Sequence, residues 1–140
     1  MLITRRVEFS ASHLCASPKL SESENRALYG AASNPHGHGH NYILEVTLEG
    51  EPDPVTGMVF DLRRLKEILN ESVVRDMDHR FLNEEVPPFD KVVPTAENLA
   101  LEIWRRLAPQ FSNSATLRNV RLYETEDLWV DCSGGDACSA

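Results

Sequence analysis

Three of the five histidines crowd into the stretch YGAASNPHGHGHNY, residues 29–42, as His36, His38 and His40. Glycine at 37 and 39 removes the bulk that would keep a ligand from the imidazoles and lets the backbone fold tightly around an ion. His13 closes another patterned run. Three neutral imidazoles with no thiolate beside them suit Zn²⁺. A centre with three protein ligands leaves a fourth position for water or substrate, as catalytic rather than structural zinc does.

The elements that carry these histidines follow from the pleat. Residues 3–13 alternate, with Ile3, Val7, Phe9 and Ala11 on one face and Thr4, Arg6, Glu8, Ser10 and Ser12 on the other, broken only by Arg5. That period of two predicts a half-buried strand. Residues 38–48 repeat it with Tyr42, Leu44, Val46 and Leu48. His13 shares the parity of the first apolar row, and His38 and His40 share that of the second. If the strands pair antiparallel, the end of one lies beside the start of the other, and the three imidazoles meet. His36 stands in the same alternation, as a rival ligand or a neighbour of the centre.

Between the strands, residues 14–37 read as a long loop with two prolines, and a loop of that length in a compact domain is usually functional. Asp61 can cap a helix carrying Leu62, Leu65, Ile68, Leu69 and Val73. Thr95 can cap a second one with Leu99, Ile103, Trp104 and Leu107, ended by Pro109. Residues 116–125 and 127–132 read as a hairpin turning near Glu126-Asp127. The expected class is α+β, a four-stranded antiparallel sheet with two helices on one face. Its outer strands leave open edges, which predicts an oligomer. Residues 1–132 form one domain and 133–140 a flexible tail.

A net charge of −8 argues against a nucleic-acid or anionic-membrane partner, since both are bound through excess cationic charge. The apolar runs are too short to span a bilayer, and MLITRRVEFS lacks the apolar stretch of a signal peptide. Three cysteines with no Cys-x-x-Cys pair suggest no disulfide framework. The expectation is a reduced, cytoplasmic protein.

In order, FSASH, SPKLSESENRALYG, NPHGHGHNY, GMVFDLRRLK, MDHRFLN, PTAEN and LYET resemble the 6-pyruvoyltetrahydropterin synthase family, which includes the 6-carboxytetrahydropterin synthases of the queuosine pathway. The resemblance runs from about residue 7 to residue 132. It implies the tunnelling fold, or T-fold. There, sheets from three subunits join into a barrel, two trimers stack into a homohexamer, and active sites lie between subunits. It also implies zinc on His13, His38 and His40, and 7,8-dihydroneopterin triphosphate as the substrate that loses triphosphate. Glu124 matches the glutamate that anchors the pterin, Thr95 and Glu97 match pterin-contacting positions, and Asp78-His79 match the family's catalytic Asp-His pair. Lys19, Arg26 and Arg80 are candidate partners of the triphosphate.

One position departs. The family's general base is a cysteine six residues before the first histidine of Gly-His-Gly-His, and that position here is Ala32, flanked by Ala31 and Ser33. A methyl group cannot take a proton, and general-base catalysis is typically worth about 10²–10⁴-fold. Three readings stand side by side. Ala32 is an engineered change that traps ligand, against which the departures at Ala31 and Ser33 favour natural divergence; another group, His36, Cys15, Glu22 or Glu24, serves as base; or the protein binds pterin without turnover. Family members with glutamate in place of the cysteine give 6-hydroxymethyl-dihydropterin, so the product stays open.

Overall fold

The computed structural model describes residues 1–111 and 115–135. Its frame is a sheet of five strands in the order β3-β1-β2-β4-β5: β1 (Leu2–His13), β2 (His38–Gly50), β3 (Arg80–Phe81), β4 (Ala115–Thr125) and β5 (Leu128–Cys132). The helices are α1 (Glu22–Tyr29), α2 (Leu62–Leu69), α3 (Arg75–Met77), α4 (Leu82–Glu85) and α5 (Ala96–Leu107). A π-helical turn, Asn70–Val74, joins α2 to α3 without a break.

The alternation in β1 and β2 does what the pleat requires. The two strands pair antiparallel along their whole length, with Val7 opposite Leu44, Phe9 opposite Tyr42 and His13 opposite His38. Phe9, Tyr42, Leu44, Val46 and Leu48 are buried on one face, joined there by Val120 and Leu122 of β4. The helices lay Leu65, Ile68, Leu69, Leu99, Ile103 and Leu107 against this row to complete the core. Burying such side chains is worth roughly 1.5–3 kcal/mol each, so the sheet face and the helices hold one another. The opposite face carries the polar half of each strand, including the pairs Arg6–Glu45 and Arg121–Asp131.

Both predicted caps form. The Asp61 carboxylate accepts from the N–H groups of Arg63 and Arg64, and the Thr95 hydroxyl accepts from Asn98 N–H. Leu62, placed in the buried stripe by its spacing, is instead half exposed at the first turn of α2.

Three features correct the expected architecture. The sheet has five strands, not four. The extra one, β3, has only two residues and runs parallel to β1, so the sheet is mixed rather than purely antiparallel. The presumed long loop holds α1, started by a capping box in which Ser21 and Glu24 satisfy each other's backbone N–H groups. The described residues hold five α-helices rather than two, because short turns of helix also flank β3. Of the expected tail, Gly134 passes against the Trp104 ring, where a Cβ would meet the indole at 2.9 Å. Residues 136–140 lie outside the described residues. No described helix is long and apolar enough to cross a membrane.

Candidate metal centre

The register that places His13 opposite His38 also places Ala11 opposite His40, and the three imidazoles converge. Their ring centroids are 4.5–5.1 Å apart, and one ligating nitrogen from each lies within 4.8 Å of the others. His13 Nε2 stands 3.0 Å from His38 Nε2. Two nitrogens about 2.0–2.1 Å from a tetrahedral Zn²⁺ stand roughly 3.3 Å apart, so the pair needs to open by only a few tenths of an ångström.

The tautomer of His13 is fixed from outside the triad. Its Nδ1 lies 2.7 Å from the carbonyl oxygen of Pro94, which can only accept. Nδ1 therefore carries the proton and Nε2 turns its lone pair to the centre, the arrangement that orients ligating histidines in metal sites. Burial holds the His13 imidazole down at about 4, with lesser contributions from His38 and His40. Burial and then His38 lower His40 as well. Both are neutral at pH 7, as metal ligands must be. His40 Nε2 and His38 Nδ1 are buried with no hydrogen-bond partner among the described residues. Buried polar atoms without partners are uncommon, and a cation at the triad meets that need for His40 Nε2; His38 faces His13 with its Nε2, so its Nδ1 is the outer nitrogen. The donor set, the tautomer and the orphaned nitrogen all fit Zn²⁺.

Glycine makes the convergence possible at two points. Gly37 has φ +72°, and a Cβ there would lie 3.1 Å from the His13 carbonyl oxygen; at Gly39 it would lie 3.3 Å from that of Ala11. His36, the rival ligand, is exposed and outside the cluster.

Glu124 stands beside the triad, its Oε1 3.4 Å from His40 Nε2. Burial, and next the charge of Glu97, raises Glu124 above the usual carboxylate range. Since His40 is held neutral, the contact is not an ion pair; it is a half-buried carboxylate awaiting donors. Tyr42 lies underneath, fully buried, with its hydroxyl 3.4 Å from His13 Nδ1.

Asp78 and His79 sit apart from this cluster. The Ser10 N–H donates to Asp78 Oδ1 and, more than any other contact, holds that carboxyl below its usual range. Asp78 Oδ2 lies 2.9 Å from His79 Nδ1, while the His79 side chain is 82% exposed. Its φ of +59° is rare for a residue with a side chain. His79 lines a groove of about 540 Å³ with Ser12, Asn41 and Phe81, and His40 is where that groove reaches the triad.

Ala32 lies against the start of the loop after β1: its carbonyl accepts from the Cys15 N–H at 2.9 Å. Cys15 is a free, buried thiol pushed up to about 11 by burial, then by Glu124 and Glu97. Glu22 is paired with Arg26 and Glu24 serves the capping box. Of the candidate triphosphate partners, Arg80 pairs with Glu85 and Lys19 is exposed. The Pro94 carbonyl, which orients His13, escaped the sequence because any residue presents a carbonyl.

The sequence model of the family described as 6-pyruvoyl tetrahydropterin synthase matches residues 2–135. The chain is 46% identical over 132 residues to the 6-pyruvoyl tetrahydrobiopterin synthase of Pongo abelii, covering 94% of this chain and 90% of that one. At lower identity, 28% over 145 residues, it matches the 6-carboxy-5,6,7,8-tetrahydropterin synthase of Rickettsia bellii, covering 91% and 96%. The solved 6-pyruvoyl tetrahydropterin synthase of Caenorhabditis elegans superposes with a TM-score of 0.91 at 38% identity, over 96% of each chain. The fold is that T-fold, and the chain belongs to the 6-pyruvoyl tetrahydropterin synthase family.

Proposed function

We propose that this protein is a zinc-dependent pterin lyase that takes 7,8-dihydroneopterin triphosphate and eliminates its triphosphate. The observation that carries this reading is the meeting of three imidazoles from two paired strands beside a half-buried carboxylate. Bound by His13, His38 and His40, Zn²⁺ supplies Lewis-acid polarisation of the substrate's side-chain hydroxyls.

The chain's own groups do the remaining work. Glu124 accepts the two parallel donors of the pterin's N–H and amino edge, as a carboxylate accepts a guanidinium. Those donors oppose the upward pull of burial and favour the ionised form of Glu124. Glu97 adds a second acceptor beside it, and Thr95, while capping α5, sets the turn that contacts the ring. Asp78, held ionised by Ser10 N–H, orients the His79 imidazole for proton transfer. The outer side of β5 and the part of β1 before Ser10, which β3 does not reach, support closure of the sheet between subunits, as a homohexamer of two stacked trimers in the cytoplasm.

A second reading, pterin binding with altered or lost turnover, is favoured by Ala32 together with the raised Cys15 thiol. Cys15 touches position 32 through its backbone, yet at about 11 it is not a thiolate at pH 7. Zinc-loaded protein incubated with the substrate, with triphosphate release followed and the product identified by mass, separates the readings. Release with a pyruvoyl, carboxy or hydroxymethyl product supports the enzyme. Turnover appearing only after Ala32→Cys supports the binding protein that lacks a base. No release from either form refutes the lyase.

A further inference from the structure

The segment from Asp78 to Asn83 runs along the outer edge of β1 and satisfies it group by group. Asp78 accepts from Ser10 N–H, and His79 N–H donates to the Ser10 carbonyl. The two residues of β3 then pair with Ala11 and Ser12. Beyond His13, which faces the first residue of β2, no strand among the described residues pairs with Leu14, and a side chain takes the strand's place. Asn83 accepts from Leu14 N–H at 2.9 Å and donates to the Leu14 carbonyl at 2.9 Å. On the next residue, Cys15 N–H donates to Ala32.

We infer that Asn83 is a positioning residue of the metal centre. His13 is the ligand with its outer nitrogen already tied to Pro94, so the place of Nε2 depends on where the backbone at residues 13 and 14 sits. The amide of Asn83 holds that backbone from both its polar groups at once. Asn and Gln carry an acceptor and a donor side by side on one planar amide, and Gln is longer by a methylene. Aspartate keeps the bond from Leu14 N–H but turns a lone pair toward the Leu14 carbonyl. Leucine has the same shape and neither bond.

The inference rests on zinc being held by the triad, and the test separates the two. A matched control exists in the same chain. Asn25 makes the same double clamp on Ser17, accepting from its N–H at 2.8 Å and donating to its carbonyl at 3.0 Å. Zn²⁺ affinity is measured by competition with a chromophoric chelator, and Co²⁺ absorption reports the ligand geometry. A wild-type chain that binds neither ion refutes the centre itself, before any variant is read. With binding established, Asn83→Leu is expected to weaken Zn²⁺ by about 10- to 100-fold, the usual effect of losing an outer partner of a ligand. Its Co²⁺ spectrum should shift, Asn83→Asp should fall between, and Asn25→Leu should bind like wild type. Equal losses in Asn83→Leu and Asn25→Leu, or wild-type affinity in Asn83→Leu, overturn the inference. Should Asn83→Leu fail to fold, Asn83→Asp decides: wild-type affinity, or failure to fold as well, overturns it.

Discussion

Gly37 joins the fold to the centre, and replacing it with alanine is expected to damage both. Its φ is +72°, and that of Gly57, in the turn after β2, is +74°. Alanine held in the left-handed region costs about 1–2 kcal/mol, and the two sites share that term. They differ in what the new methyl meets. At Gly57 there is nothing within 4 Å. At Gly37 the methyl would lie 3.1 Å from the His13 carbonyl oxygen and 3.2 Å from the Phe81 ring. The ring can turn, but the carbonyl belongs to a paired strand, and inserting a carbon into a packed site costs roughly 1–3 kcal/mol.

Gly57→Ala should therefore lose about 1–2 kcal/mol and Gly37→Ala about 2–5 kcal/mol of a stability on the order of 5–15 kcal/mol. With urea slopes of about 1–3 kcal/mol per molar, the unfolding midpoint of Gly37→Ala should fall by roughly 0.7–5 M, about 1.5 to 4 times the fall for Gly57→Ala. The strand can relieve the clash only by moving His13. Zinc affinity should then drop at least about tenfold in Gly37→Ala and stay unchanged in Gly57→Ala. Equal midpoint shifts would show that the steric reasoning is wrong. A destabilised Gly37→Ala that binds zinc like wild type would show that the centre does not depend on this approach of the chains.

Two further outcomes follow from buried charge. His13 titrates at about 4 in the folded chain against 6.5 in an exposed imidazole. The unfolded chain therefore takes up the proton first as pH falls, and the stabilisation, whole above about 6.5, is lost as pH drops through about 4. That difference is worth about 3 kcal/mol. In metal-free urea unfolding, wild type should lose about that much more between pH 7 and pH 4 than His13→Gln, and parallel pH profiles would contradict it. Glu102 is 6% exposed and holds Arg105 and Arg106 at 2.6–2.9 Å. Glu102→Ala, which leaves the mostly buried Arg106 with Asp76 as its remaining carboxylate, should destabilise by about 2–4 kcal/mol; a urea midpoint within error of wild type would refute this.

The parts of the fold that were legible are those in which side-chain type alone decides the geometry. One buried face forces period two on β1 and β2, so parity alone brings His13, His38 and His40 together. Asp61 and Thr95 cap because a short acceptor at the start of a helix has few other uses. The helix α1 is hidden in the sequence for the opposite reason. Its Ser21-Glu24 capping box is written in the sequence, but among its residues only Asn25 is buried, so no apolar stripe announces it. The strand β3 is two residues long, and its pairing is settled by Asp78 and Asn83, whose side chains act as backbone.

The centre itself divides along the same line. Parity says which residues meet but not which nitrogen each one offers. That choice is made for His13 by the carbonyl of Pro94, 81 residues away in sequence, a group every amino acid possesses and no composition reveals. Because a carbonyl only accepts, it leaves His13 a single tautomer, and with it a single lone pair directed at His38. The ligand type is thus a property of the strand, and the ligand geometry a property of the turn that crosses it. Substituting a histidine tests the first, while shifting the Pro94 turn or the Asn83 clamp tests the second with every ligand still in place.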